Sequence, residues 1–173
     1  MTADSTQSTI LLVDDVADNI DILNAILLPH YRTRVALNGE KALRIAGSAN
    51  PPDLILLDIM MPGLNGYDVC QQLKANPDTR DIPVIFVTAM SEVEDEKCGL
   101  ELGAVDYITK PVNPRVLAAR VQTHLALKAS ADFLRDQNGY LEQQAVLRTR
   151  ELAAIQDVTI LAMASLAETR NND

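Results

Sequence analysis

Asp14, Asp15, Asp58, Thr88 and Lys110 are residues whose types could do chemistry together, and each closes a short aliphatic run or lies just past one. Three carboxylates brought close repel one another and would take up protons, unless a hard divalent cation with oxygen ligands relieved the repulsion. Mg²⁺ is the expected cation: it keeps waters and bridges to phosphate oxygens, lowering the negative charge that an attacking carboxylate must approach. Asp58 could then act as a nucleophile on phosphorus to give an acyl phosphate, with Lys110 offering a cation and Thr88 a hydroxyl to the transferring oxygens. Singly, each residue has a plainer role, since an Asp at a strand end commonly caps a helix and a Thr or Lys there is commonly surface. The joint set is what points to chemistry.

Such a set works only if a fold gathers it at one edge. Short aliphatic runs predict strands at Ile10–Val13, Thr33–Leu37, Leu54–Leu57, Val84–Val87 and Val105–Ile108. Between them lie helical stripes: Ile20, Leu23, Asn24 and Leu27; Ala42, Leu43 and Ala46; Val69, Gln72 and Leu73; then Glu96 and Leu100. This alternation predicts an α/β fold with a parallel sheet, and ligands of such sheets bind outside the carboxyl ends of the strands. Pro62 and Gly63 mark a turn, Asn76 and Pro77 a helix stop, and Gly103 a C-terminal cap before the fifth strand.

From Pro114 onward the pattern becomes one continuous helical signal without a strand candidate. A heptad frame runs through it, with Leu127, Leu134, Leu141, Arg148, Ile155 and Ala162 at one position and Ala131, Asn138, Ala145, Leu152, Thr159 and Leu166 at the other. Asn138 could set register, Arg148 weakens a dry seam, and Gly139 is a candidate hinge. A solvated helix, or one packed on its own domain, would also fit. The length of the pattern favours a self-associating, coiled-coil-like one.

The chain is 47% hydrophobic and carries a net charge of -9, which argues against nucleic acid or anionic lipid as a partner. Thr2–Thr9 lacks the pattern of a signal peptide, and the longest apolar runs fall far short of a membrane span, so a cytoplasmic location is expected. Cys70 and Cys98 stand without CxxC spacing or a His neighbour, and are expected as buried free thiols.

The runs LLVDD (Leu11–Asp15), LILLDIMMPGLNGYDV (Leu54–Val69), PVIFVTA (Pro83–Ala89) and DYITKP (Asp106–Pro111) resemble those of bacterial two-component receiver domains, in the family's order and over about residues 8–126. The resemblance implies a flavodoxin-like five-stranded parallel sheet of order 2-1-3-4-5 with helices on both faces. By position it makes Asp58 the phospho-acceptor. Asp15, Asp58 and the Met60 backbone carbonyl would be direct Mg²⁺ ligands, with Asp14 acting mainly through water. It implies that Thr88 closes on the phosphoryl group, that Tyr107 rotates inward with it, that Lys110 pairs with phosphate, and that the Lys110-Pro111 bond is cis. The expected phosphodonor is a sensor histidine kinase or a phosphotransfer protein.

The last stretch, TILAMASLAETRNND (Thr159–Asp173), is similar to the helix that opens HD-GYP cyclic di-GMP phosphodiesterase domains. His30 is followed by Tyr31 and His124 by Leu125, and neither Gly66-Tyr67 nor Gly139-Tyr140 is followed by Pro, so the enzyme's own motifs are not in this chain. Residues 127–173 are therefore read as a helical linker that dimerises and leads to a missing output domain, with the dimer formed through the helix, the receiver face or both. The fragment itself is not expected to be an enzyme beyond its own phosphorylation and dephosphorylation. A haloacid-dehalogenase-type phosphatase would need a second Asp two residues past the nucleophile, where Met60 stands. A phosphate-independent scaffold and a DNA-binding output are the other readings; the first leaves the site set unexplained, and the second lacks a basic recognition helix.

Overall fold

The computed structural model describes residues 7–89 and 100–170, with side-chain surroundings to residue 164. The strands are β1 (Thr9–Val13), β2 (Arg32–Ala36), β3 (Leu54–Leu57), β4 (Val84–Thr88) and β5 (Asp106–Thr109). They form one parallel sheet in the order β2-β1-β3-β4-β5. Helices with bounds among the described residues are α1 (Ala17–Leu27), α2 (Gly39–Ala46), α3 (Gly66–Ala75) and the long α4 (Pro114–Arg170). The chain divides into two compact units, Met1–Ala129 and Ser130–Asp173.

The strands read as continuous aliphatic runs because the sheet is covered on both faces. Successive side chains of a strand point to opposite faces, so β1 splits its residues between two cores. Leu11 and Val13 join Ile55, Leu57, Val84 and Phe86 beneath α2 and α3. Ile10 and Leu12 join Leu54, Leu56, Ile85 and Val87 beneath α1 and the first turns of α4, which contribute Leu23, Leu27, Leu117 and Val121. Each such fully buried side chain stabilises the fold by roughly 1.5–3 kcal/mol.

Local chemistry sets the helix starts. The Asn38 side chain accepts the Lys41 N–H at the start of α2, and Asn65 and Asp68 form a reciprocal capping box on α3. Asn113 accepts the N–H groups of Arg115 and Val116 at the head of α4. The turn at Gly63 and the cap at Gly103 both have positive φ, 78° and 94°, and α3 stops at Ala75 before Asn76 and Pro77.

Several boundaries differ from the sequence expectation. The second strand begins and ends one residue earlier, and Leu37 is exposed; the fifth lies one residue later, and Val105 is exposed. Gln72 points to solvent, and Cys70 takes the buried place beside Val69 and Leu73 as a free thiol. Leu100, expected on a buried stripe, is exposed, while Glu96 and Cys98 lie outside the described residues. The helix α4 passes through Gly139 without interruption.

Candidate functional site

Strand register brings the candidate residues to one edge. Val13 pairs with Leu57 and Leu57 with Phe86, so Asp14 and Asp58, each the next residue along, emerge side by side. The Asp58 N–H donates to the Val13 carbonyl at 2.9 Å. Thr88, at the end of β4, is buried, and its carbonyl accepts the Lys110 N–H at 2.8 Å. The Lys110-Pro111 bond is cis, as the resemblance implied.

Asp14 and Asp58 are almost fully buried, whereas Asp15 is exposed. The Lys110 ammonium spans the two buried carboxylates, donating to Asp14 Oδ2 at 2.8 Å and Asp58 Oδ2 at 3.1 Å. The other Asp58 oxygen, Oδ1, accepts the Met60 N–H at 3.3 Å. Burial pushes the Asp58 carboxyl above its ordinary pKa; the Lys110 hydrogen bond and charge oppose that rise, and Asp14 adds to it. Burial alone would pull Lys110 down, but its hydrogen bonds and charge pairing with Asp14 and Asp58 outweigh it and raise the pKa.

One carboxylate oxygen from each of Asp14, Asp15 and Asp58 falls within 4.8 Å of the others. An all-oxygen donor set this close, with a single ammonium offsetting it, fits a hard divalent cation. Tyr107 is half-buried in β5, its ring packed against the core beneath α2 and α3 and lying 5.8 Å from the Arg120 guanidinium. The Met60 side chain is exposed.

Other contributors escaped the sequence reading. Asn19 donates from Nδ2 to both Asp14 oxygens at 3.0 Å, holding that carboxylate flat against the first turn of α1. Its position five residues past Asp14 was the only signal, and helical spacing from a strand end is easy to overlook. Gly66 lets the β3–α3 loop fold back on the acceptor strand, because a Cβ there would stand 2.3 Å from the Asp58 carbonyl oxygen. Asp106 binds both Arg120 and His124 of α4, and Arg120 Nη1 also donates to the Tyr107 carbonyl at 2.6 Å. Nothing in the sequence linked these residues, which meet only when α4 packs on the sheet.

Among the described residues no helix is long and apolar enough to cross a membrane. Residues 10–122 match the family model described as response regulator receiver domain. A probable cyclic di-GMP phosphodiesterase of Vibrio cholerae is 51% identical over 168 residues, covering 97% of this chain and 38% of that protein. The response regulator PleD of Caulobacter vibrioides is 41% identical over 139 residues, covering 80% and 30%. The chain thus spans only about a third of the length of these relatives. Among solved structures, the signal receiver domain of a histidine kinase from Syntrophus aciditrophicus superposes with a TM-score of 0.63 at 42% identity, covering 69% of this chain and 90% of that one. The fold, the edge on which the acidic residues converge and the match across residues 10–122 agree, and the chain belongs to the response regulator receiver family of two-component signalling.

Proposed function

We propose that this chain is the phospho-acceptor part of a phosphorelay protein, in which Asp58 takes a phosphoryl group from a sensor histidine kinase or phosphotransfer protein in a Mg²⁺-dependent reaction. The observation that most supports this is the seating of Asp58: buried at the end of β3, 3.1 Å from the Lys110 ammonium and clustered with Asp14 and Asp15. One Asp58 oxygen attacks phosphorus as the donor's bond to phosphorus breaks on the opposite side, and the leaving group keeps that bond's electron pair. Asp14, Asp15, Asp58 and the Met60 carbonyl would hold Mg²⁺, Asp14 mainly through water; when bound, the ion offsets charge on the transferring oxygens. Lys110 exchanges a carboxylate for a phosphoryl oxygen, and the Thr88 hydroxyl donates to another. Asn19 keeps Asp14 oriented while this happens. Phosphorylation then favours one arrangement of Thr88 and Tyr107, a shift in population between existing states.

In this proposal residues 8–126 form the phospho-acceptor unit, and 127–173 form a linker that dimerises and leads to an output domain. A cyclic di-GMP phosphodiesterase of the HD-GYP class is the proposed output, supported by 51% identity to the Vibrio cholerae relative across 97% of this chain, α4 included. The chain's own chemistry is then confined to gaining and losing its phosphoryl group, in the cytoplasm, without nucleic acid or membrane as a partner.

Intact mass after incubation with acetyl phosphate or phosphoramidate and Mg²⁺ tests the site. Wild type should gain one phosphoryl group and Asp58→Asn none. Labelling that survives in Asp58→Asn would move the acceptor elsewhere, and no labelling of wild type by any donor would defeat the proposal.

A further inference from the structure

The part of α4 beyond Ala129 carries two apolar patterns on opposite sides. Leu134, Leu141, Leu152 and Ile155 lie along the heptad seam. Diametrically across the helix, Phe133, Tyr140, Leu147 and Leu161 recur at multiples of seven residues with Val146 and Ile160 beside them, and all six are more than half exposed. Down the middle of this second face runs a polar line, Asp136, Gln143 and Arg150, also at seven-residue spacing and exposed. Open grooves on it are lined by Phe133, Asp136 and Tyr140, and by Gly139, Gln143 and Leu147.

We propose that a second copy of this helix docks antiparallel on the second face, centred on Gln143. A two-fold axis at Gln143 sets each residue opposite the one equally far on the other side of 143. Asp136 then meets Arg150 of the second copy, and Arg150 meets its Asp136, so one operation forms two ion pairs and sets Gln143 against its own copy. Among the described residues neither Asp136 nor Arg150 has an ion-pair partner within its own chain. The same axis pairs large side chains with small ones along both flanks: Phe133 with Ala153, Leu147 with Gly139, and Tyr140 with Val146. Gly139 has open space where its Cβ would be, which leaves room for Leu147 of the second copy. A parallel pairing would instead set Asp136 against Asp136 and Arg150 against Arg150. The enclosed ion pairs fix direction and register, while the apolar flanks supply the burial. The heptad seam stays free on the other side.

Geometry makes this testable. Helix axes 8–10 Å apart, with Cα atoms about 2.3 Å from each axis, bring the two Gln143 Cα atoms to roughly 3.5–5.5 Å, reaching disulfide range at the wider spacings. In a dimer through the heptad seam, Gln143 lies on the outer side and the distance is roughly 13–14 Å. The full chain with Gln143→Cys should give a disulfide-linked dimer under mild oxidation, against wild type with its native Cys70 and Cys98 as background. Asp136→Arg or Arg150→Asp should each weaken association about tenfold or more in sedimentation, and the double reversal should restore it, with helical circular dichroism unchanged throughout. Single reversals without effect, a double variant that fails to recover, or crosslinking by Leu134→Cys but not by Gln143→Cys would each overturn the proposal.

Discussion

The two units of this chain put their aliphatic residues to opposite use. In Met1–Ala129 the strand residues among them are enclosed: Leu12, Leu54, Leu56 and Ile85 are fully buried between the sheet and its helices. In Ser130–Asp173 every side chain that is described is exposed or nearly so, including Leu134, Leu152 and Ile155 at about 60%. The first unit therefore has its own core and should unfold cooperatively. The second is a single helix without such a core among its described residues, and its exposed apolar side chains are open to the contacts between copies proposed above.

The sharpest way to break this contrast is the same truncation in both units. Leu56→Ala should destabilise the receiver by about 3–4 kcal/mol in urea titration. Leu152→Ala should leave that midpoint within about 0.5 kcal/mol while weakening association. Equal effects would mean that the helix folds together with the sheet.

Next in size is Gly66→Ala. The added methyl would meet the Asp58 carbonyl oxygen at 2.3 Å and the Ile59 Cα at 2.7 Å, so backbone has to move. A loss of about 2–3 kcal/mol is expected, together with a fall in labelling rate of up to about 100-fold as the acceptor shifts. Unchanged labelling would show that the loop yields without moving Asp58.

Asp58→Asn tests the electrostatics in the other direction. Burial holds the folded-state pKa of Asp58 above its ordinary value of 3.8, so the folded chain keeps this proton at pH values where the unfolded chain has lost it. Stability from this group is then lost as pH rises from that value through the folded one, and Asn escapes the loss. Without divalent cations, the variant should melt a few degrees above wild type at neutral pH, with the gap closing below pH 4. A variant that melts lower at neutral pH would mean that the Lys110 pair outweighs burial.

Gly139→Ala has the smallest expected effect and inverts the lesson of Gly66. With open space around the added methyl, it should stabilise the helix by just under about 1 kcal/mol, seen as increased helical ellipticity on heating, while the receiver's midpoint stays put. In the second-face pairing the same methyl fills part of the space for Leu147 of the second copy, so association should weaken slightly.

Much of the receiver was legible from residue order. Aliphatic runs of four or five residues between stripes of helical period read as doubly covered parallel strands, and Asp14, Asp58, Thr88 and Lys110 stand where such strands end. Strand limits slipped by one residue at β2 and β5 because Leu37 and Val105 are aliphatic without being buried. Gln72 was misplaced because helical spacing alone does not separate the edge of a buried stripe from its centre, and Cys70 lies nearer that centre.

The order of residues by itself determined the alternation of elements, the turn at Gly63, the helix stop before Asn76 and the cap at Gly103, and the residue types brought to the acidic edge, because these depend on neighbours within a few positions. Only the tertiary structure decided that Asn19 would hold Asp14, that Gly66 would lie against the Asp58 peptide, and that Asp106 would gather Arg120 and His124. Those contacts join separate elements at distances set by register and packing, which local periodicity does not encode.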